Sequence, residues 1–399
     1  MQASDPLPPY LMTSEPGSFA RKTIAERKAQ IIARVIADHN YDDAVLARLA
    51  DFGNEIMHPR RGSSAVRLLP HTAGDYAVWT QALAPYAGRT WLELPWYLAE
   101  TYFYRRLLEA TGYLNPALPN YLADPFAPQK RAQEAAAVAQ LSDLWPVLSG
   151  LPAGDRFEPL LHACLWGNRA DLSNFTVAQS AVGDTTADRH NILINHTSGA
   201  QGLLSRGVAR AAFINDNVGA DSIFDLALAD FLLAQGWAQQ VTFHLKDRPF
   251  FVSDAMPNDI HAAIGLLERG DVTPGLTQLG QRLDTAVASG QLTLATHPFW
   301  TQPFGFRDLP PVLRSALRCA DLVILKGDVN YRRLLDDRHW PPATTLAVAA
   351  ADFPRPFLVL RTLKGEIITG LAPGQAEALA AEDPTWLING LRGLIHLVT

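Results

Sequence analysis

The chain has 399 residues, 48% hydrophobic and 19% charged, with 34 lysines and arginines against 40 acidic residues for a net charge of −6. That composition excludes a disordered, collagen-like or disulfide-stapled chain. The acidic balance argues against a nucleic-acid partner held through phosphate contacts. The length allows about two or three domain-sized units.

The first 30 residues interleave Asp5, Pro6, Pro8, Pro9, Glu15, Pro16, Arg21 and Lys22, with no apolar core of signal-peptide length. No later stretch approaches 18 uncharged apolar residues; Ile223 to Ala234 is interrupted by Asp225 and Asp230. A soluble, cytoplasmic protein with no membrane partner is expected. From about Thr23 to Trp145 the apolar spacing is helical, with Ile24, Ile31, Ile32, Val35 and Ile36 on one stripe. A second helical segment, Leu92 to Thr111, carries Trp96, Tyr97, Tyr102, Phe103, Leu107 and Leu108. Proline-rich breaks follow at 114–128 and around Pro152. Cys164 and Cys319, two in all and with no C-x-x-C pair, make neither a zinc knuckle nor a disulfide framework, and each reads as a small buried apolar side chain.

After about Asn191 the pattern changes. Strands are expected at 211–215, 241–245, 292–295, 321–325 and 357–360, alternating with helices at 221–235, 260–268 and 276–287. This alternation, with continuously apolar strands, predicts an α-β-α sandwich around a mainly parallel sheet. The expected division is a mainly helical N-terminal region, 1–190, and an α/β domain, 191–399.

Ligands of open α/β sheets bind beyond the carboxyl ends of the strands. Four polar clusters occupy that position or closely follow an apolar run: Asp216-Asn217, Asp254, Lys326-Gly327-Asp328 and Arg361-Thr362-Leu363-Lys364. Asp216, Asn217 and Asp254 offer hard oxygen ligands suited to magnesium or manganese. Lys326, Arg332, Arg361 and Lys364 offer positive charge for phosphoryl oxygens, and Asp328 and Asn330 offer hydrogen bonds to sugar hydroxyls. Each cluster also has a duller reading. Asp216, Asn217 or Asp254 could cap a helix, residues 326–333 could be a solvated loop, and Arg361 and Lys364 could be surface charges. Only convergence on one edge of the sheet favours a site.

Those residues carry a resemblance. Asp216-Asn217-Val218-Gly219, the string Lys326-Gly327-Asp328-Val329-Asn330-Tyr331-Arg332 and Arg361-Thr362-Leu363-Lys364 resemble the metal-dependent damage-control phosphatases. Within them the chain is similar to the Arg-Thr-x-Lys branch, also named acidic-residue or protein-glutamate O-methyltransferases. Trp96 to Arg106, Leu165 to Arg169 and Gly370 to Gln375 extend the likeness from about residue 20 to the end. The resemblance implies a helical N-terminal region on an α-β-α sandwich and a divalent metal, manganese, magnesium, cobalt or nickel, held by Asp216, Asn217 and Asp254. It implies hydrolysis of small phosphorylated metabolites such as fructose phosphates. Substrate is expected to meet Asn217, Lys326, Gly327, Asp328, Asn330, Tyr331, Arg332, Arg361 and Lys364, with Asp216, Asp254, Asp328 and Lys364 in the catalytic group. Where the family usually has an aromatic residue and a glutamate after the first motif's glycine, this chain has Ala220 and Asp221. Asp221 either reaches water at the metal or caps the following helix.

Two nucleophiles fit these residues: water at the metal, with Asp216 or Asp254 as base, or one of those carboxylates attacking directly. Two other functions remain in view. A carboxyl methyltransferase using S-adenosylmethionine would usually need a glycine-rich loop after its first strand, and only Gly219 follows Asp216-Asn217. A sugar-phosphate binding protein would not need an open metal position. Two polar loops, Glu55, His58, Arg60 and Arg61 in one and Trp166, Asn168 and Arg169 in the other, are candidates for a specificity wall. No His-x-x-x-His spacing lies near the proposed ligands, which argues against zinc.

Overall fold

The computed structural model describes residues 6–58, 60–167, 191–269 and 272–399. Strands β1 (Ile192–Asn195), β2 (Val208–Ile214), β3 (Ala238–Leu245), β4 (Leu292–Thr296), β5 (Leu322–Lys326), β6 (Phe357–Thr362) and β7 (Gly393–Val398) form one sheet. Their order is β1-β7-β6-β5-β2-β3-β4. Every neighbouring pair from β4 across to β6 is parallel, and β7 alone runs antiparallel to its neighbour β6. The expected α/β sandwich is thus what forms. The sequence reading missed the two strands at one margin of the sheet, β1 and β7.

Alternation along the strands fills two cores. Ala211, Phe213, Phe243, Ile324 and Leu358 point to one face, and Ala212, Ile214, Val323, Leu325 and Val359 to the other. The first face is covered by helices on both sides of the expected boundary at 190. They include α4 (Ala127–Gly150), α5 (Ala153–Trp166) and α6 (Ala220–Ala234), all sharing its core. A third core lies within the N-terminal helices α1 (Lys28–Ala37), α2 (Asp43–Ile56) and α3 (Trp96–Thr111). Helix α3 is buried on nearly every side, as a helix between two packed layers must be. Its buried charges are therefore paired: Glu100 with Lys28, Arg105 with Asp75 at 2.6 Å, and Arg106 with Glu55 at 2.9 Å. Glu55 is thus committed to this packing, away from the sheet edge.

Two local expectations are corrected. Residues 327–334 form a helix, α9 (Gly327–Leu334), where a solvated loop had been considered, because its charges are neutralised in the interior rather than by water. (Helices α7, Pro257–Leu267, and α8, Pro274–Ser289, precede it.) Of the two cysteines, Cys164 is buried and Cys319 exposed. Among the described residues no helix is long and apolar enough to cross a membrane.

Strand β2 lies between β3 and β5. The chain leaves β2 in one direction, toward β3 and β4, and returns on its other side at β5. The crevice past the ends of β2 and β5 is therefore the topological switch point of the sheet, where ligands of such folds bind.

Candidate metal and phosphate site

Ile214 and Leu325 pair at the ends of β2 and β5, so Asp216 and Gly327 emerge side by side. The fit between them is tight. Gly327 has φ +83°, and a Cβ there would lie 1.9 Å from Asp216 Oδ2. Glycine is required twice over, by the left-handed backbone and by the carboxylate occupying the side-chain position.

Asp254 closely follows an apolar run, as expected, and that run is not one of the strands. Phe250 to Ser253 is a tight turn, not a strand, and Phe251 and Val252 both have positive φ, 44° and 69°. Such strain is tolerated only where packing over-determines it. Here Phe250 is buried in the N-terminal core, and Phe251 lies against Tyr97 and Tyr104. The turn then lies beside the end of β2. Val218 N donates to Ser253 O at 2.7 Å, and Ala255 N donates to Asp216 O at 2.8 Å.

The two carboxylates share one buried space. Asp216 is 7% exposed and Asp254 fully buried. Burial, then repulsion from Asp254 and Asp221, pushes the Asp216 carboxyl well above the ordinary aspartate range. Asp254 is also raised by burial, against the opposing pull of Lys246, whose Nζ lies 3.1 Å from Asp254 Oδ2. Asp254 Oδ1 has no hydrogen-bond partner. The Asn217 amide sits between the acids. Its Nδ2 donates to Asp216 Oδ2 at 2.8 Å and to Asp221 Oδ2 at 3.0 Å, and its Oδ1 accepts from Ser253 Oγ at 2.7 Å. Asp221 therefore orients Asn217.

Among the described residues no three His, Cys, Asp or Glu side chains form a ready-made metal cluster. What is present is two carboxylates, one of which, Asp254, has an oxygen without a donor, and the Asn217 amide, whose oxygen accepts from Ser253. This hard-oxygen set short of positive charge fits a divalent cation that keeps positions open for water and substrate.

The basic motif residues divide into two groups. Lys326, Gly327, Asp328 and Lys364 line a cavity of about 450 Å³ together with Asp216, Asn217, Asp221 and Asp254. Asn330, Tyr331, Arg332 and Arg361 are fully buried behind them. Asn330 Nδ2 donates to the carbonyls of Ile214, Asn215 and Lys326, tying β2 to β5. Tyr331 meets Thr369 Oγ1 at 3.1 Å. Arg361 Nη2 lies 2.7 Å from Asp328 Oδ1, and Arg332 Nε lies 3.1 Å from Asp328 Oδ2. Burial pushes the Asp328 carboxyl up, but the two guanidiniums prevail and hold it below the usual range. Lys326, although on the cavity wall, is paired with Asp225 at 2.7 Å. Lys364 is half-buried, with no hydrogen bond or ion pair to any described residue.

The motifs also extend to residues that the sequence reading missed. Lys246 follows β3 directly, so the strand-end rule that found Asp216 applies to it as well. Asp225 lies one helical turn after Asp221 and carried no signal of its own. Of the loops considered as a specificity wall, Glu55, His58, Arg60 and Arg61 do not line the cavity, and Asn168 and Arg169 lie outside the described residues. The wall is built in part by Thr23, Arg27, Trp96, Glu100 and Gln133.

A model of the damage-control phosphatase ARMT1-like domain matches residues 22–379 of the chain. The chain belongs to this family. It is 30% identical to the damage-control phosphatase ARMT1 of Danio rerio, over 99% of this chain and 98% of that protein. The Mus musculus and Homo sapiens proteins of the same name are each 30% identical to it, over 98% of both chains. Membership in the ARMT1-like family accounts for the motifs as one unit. It spans the N-terminal helices as well as the sheet, as does the cavity.

Proposed function

We propose that this protein is a divalent-metal-dependent phosphatase acting on phosphate monoesters of small metabolites, sugar phosphates such as fructose phosphates among them, in metabolite damage control. The observation that carries the reading is the meeting of the Asp216–Asp254 pair with Lys364, which has no ion pair to a described residue, around one cavity at the switch point. Asp216, Asn217 and Asp254 are the residues that would hold manganese, magnesium, cobalt or nickel. Bound there, the cation supplies positive charge that polarises the phosphoryl group.

The chain's own groups do the rest. Lys364 holds a phosphoryl oxygen by charge. The first turn of α9, at Gly327 and Asp328, opens onto the cavity, and its N–H groups lack intrahelical acceptors, which suits an anion. Asp328, fixed by its two arginines, presents a carboxylate to substrate hydroxyls. Asp254 Oδ1 is the free acceptor for a proton from the attacking group. Asp225 holds Lys326 upright on the wall, and Asn330 keeps the ends of β2 and β5 in register.

The deciding assay measures phosphate release from a panel of phosphorylated sugars with manganese, magnesium, cobalt and nickel in turn. Metal-stimulated release from sugar monophosphates is expected, lost on chelation. Release independent of metal, or none from any substrate, overturns the reading.

A further inference from the structure

The helical N-terminal region contributes a cation to the same cavity. Between a helical turn at Phe19–Lys22 and α1 lies a π-helical stretch, Thr23–Arg27. Such stretches are frequent at functional sites. Both Thr23 and Arg27 face the cavity, and Arg27 has no hydrogen bond or ion pair to any described residue. Glu100, the acidic residue of this wall, is already neutralised by buried Lys28. Among the described residues, two cations of the cavity make no hydrogen bond or ion pair: Lys364 from the sheet and Arg27 from the helices.

One loop ties them together. Two residues after Lys364, the Glu366 carboxylate accepts from Phe19 N at 2.8 Å and from Ala20 N at 3.1 Å. The segment that carries Lys364 thus grips the start of the helix that carries Arg27.

Building on the phosphatase reading above, we propose that Arg27 binds a second anionic group of the substrate, distal to the phosphoryl group beside Lys364, with Glu366 as the positioning residue. The favoured substrates are then doubly anionic phosphorylated sugars, a bisphosphate or a phosphorylated sugar acid. A guanidinium facing a cavity without a counter-charge is matched by a carboxylate or phosphate, which it can grip with two parallel hydrogen bonds.

The test titrates fructose 1,6-bisphosphate and fructose 6-phosphate into the metal-free full-length protein by calorimetry, and measures turnover of both with manganese. Wild type is expected to bind the bisphosphate more tightly. Arg27→Ala should cut that preference at least about tenfold, the scale of a charge-assisted hydrogen bond, with Arg27→Lys recovering part of it. In turnover the same change should appear mainly in KM. Glu366→Ala should lower the same ratio, and the double variant should lose no more than Arg27→Ala alone. An unchanged ratio in Arg27→Ala, or additive losses in the double variant, overturns the proposal while leaving the phosphatase reading intact. An Arg27-dependent preference in binding without phosphate release from any substrate supports the second anion site and sinks the phosphatase reading instead.

Discussion

Two sets of aspartates face each other across the crevice between β2 and β5, and their surroundings are opposite. On the β5 side, Asp328 sits between Arg332 and Arg361 and is held in its charged form. On the β2 side, Asp216 and Asp254 repel one another against the pull of Lys246, which pairs with Asp254, and of Lys364 on Asp216, and burial drives both carboxyls upward. One acid is a finished ion-pair network; the other two are an unfinished one. The difference teaches where a cation is wanted: charges already compensated build the wall, and uncompensated ones mark the place for a ligand.

The contrast can be broken most sharply at Asp216. Asp216→Asn should abolish manganese binding in calorimetry and cut phosphate release about 1,000-fold or more. The same variant, free of metal, should be more stable than wild type in urea at pH 8. Its raised pKa means that wild type loses stability as pH rises through the folded value, and asparagine removes that loss. Asp328→Ala should do the reverse. Leaving Arg361 and Arg332 without their shared partner is expected to cost about 3–5 kcal/mol in urea unfolding. Equal stability losses in the two variants would erase the distinction drawn between the two sides.

Gly327→Ala tests the contact that joins them. Its Cβ would collide with the Asp216 carboxylate, so turnover should fall about 100-fold, with metal affinity falling alongside it. The smallest expected effect lies outside the crevice, at Glu134 on α4. Burial, then the charge of Asp259, pushes its carboxyl up to about 7. Because the folded pKa is raised, the wild-type stability present below the ordinary value near 4.5 is lost as pH rises toward 7. Glu134→Gln should therefore match wild type near pH 4.5 and exceed it by about 1–2 kcal/mol above pH 7, measured by urea unfolding. A pH-independent difference would mean that Glu134 does not titrate as its burial implies.

Much of the site was legible before the fold. Asp216, Asn217, Gly327 and Lys364 stand at or just beyond strand ends, and strand ends can be read from apolar runs closed by polar residues. Asp254 was found from the apolar run before it, which is a turn rather than a strand. Its position depends on a strained turn held by aromatic rings of the N-terminal region, and such strain leaves no periodic trace. The partners Lys246, Asp225 and Glu366 were not found. A lone charge looks the same in sequence whether it meets water or a carboxylate distant in the chain.

Local rules thus suffice for the sandwich, the strand-end acids and the glycine-bearing basic string, because side-chain alternation, helical periodicity and backbone conformation act between near neighbours. Only the tertiary structure decided which charges are already spent in ion pairs, as at Arg332 and Arg361, and which line the cavity with no ion pair to a described residue, as at Lys364 and Arg27. Compensation depends on which segments meet in the fold, as Arg361 on β6 meets Asp328 on α9. Those meetings exist only once the helices have packed against the sheet.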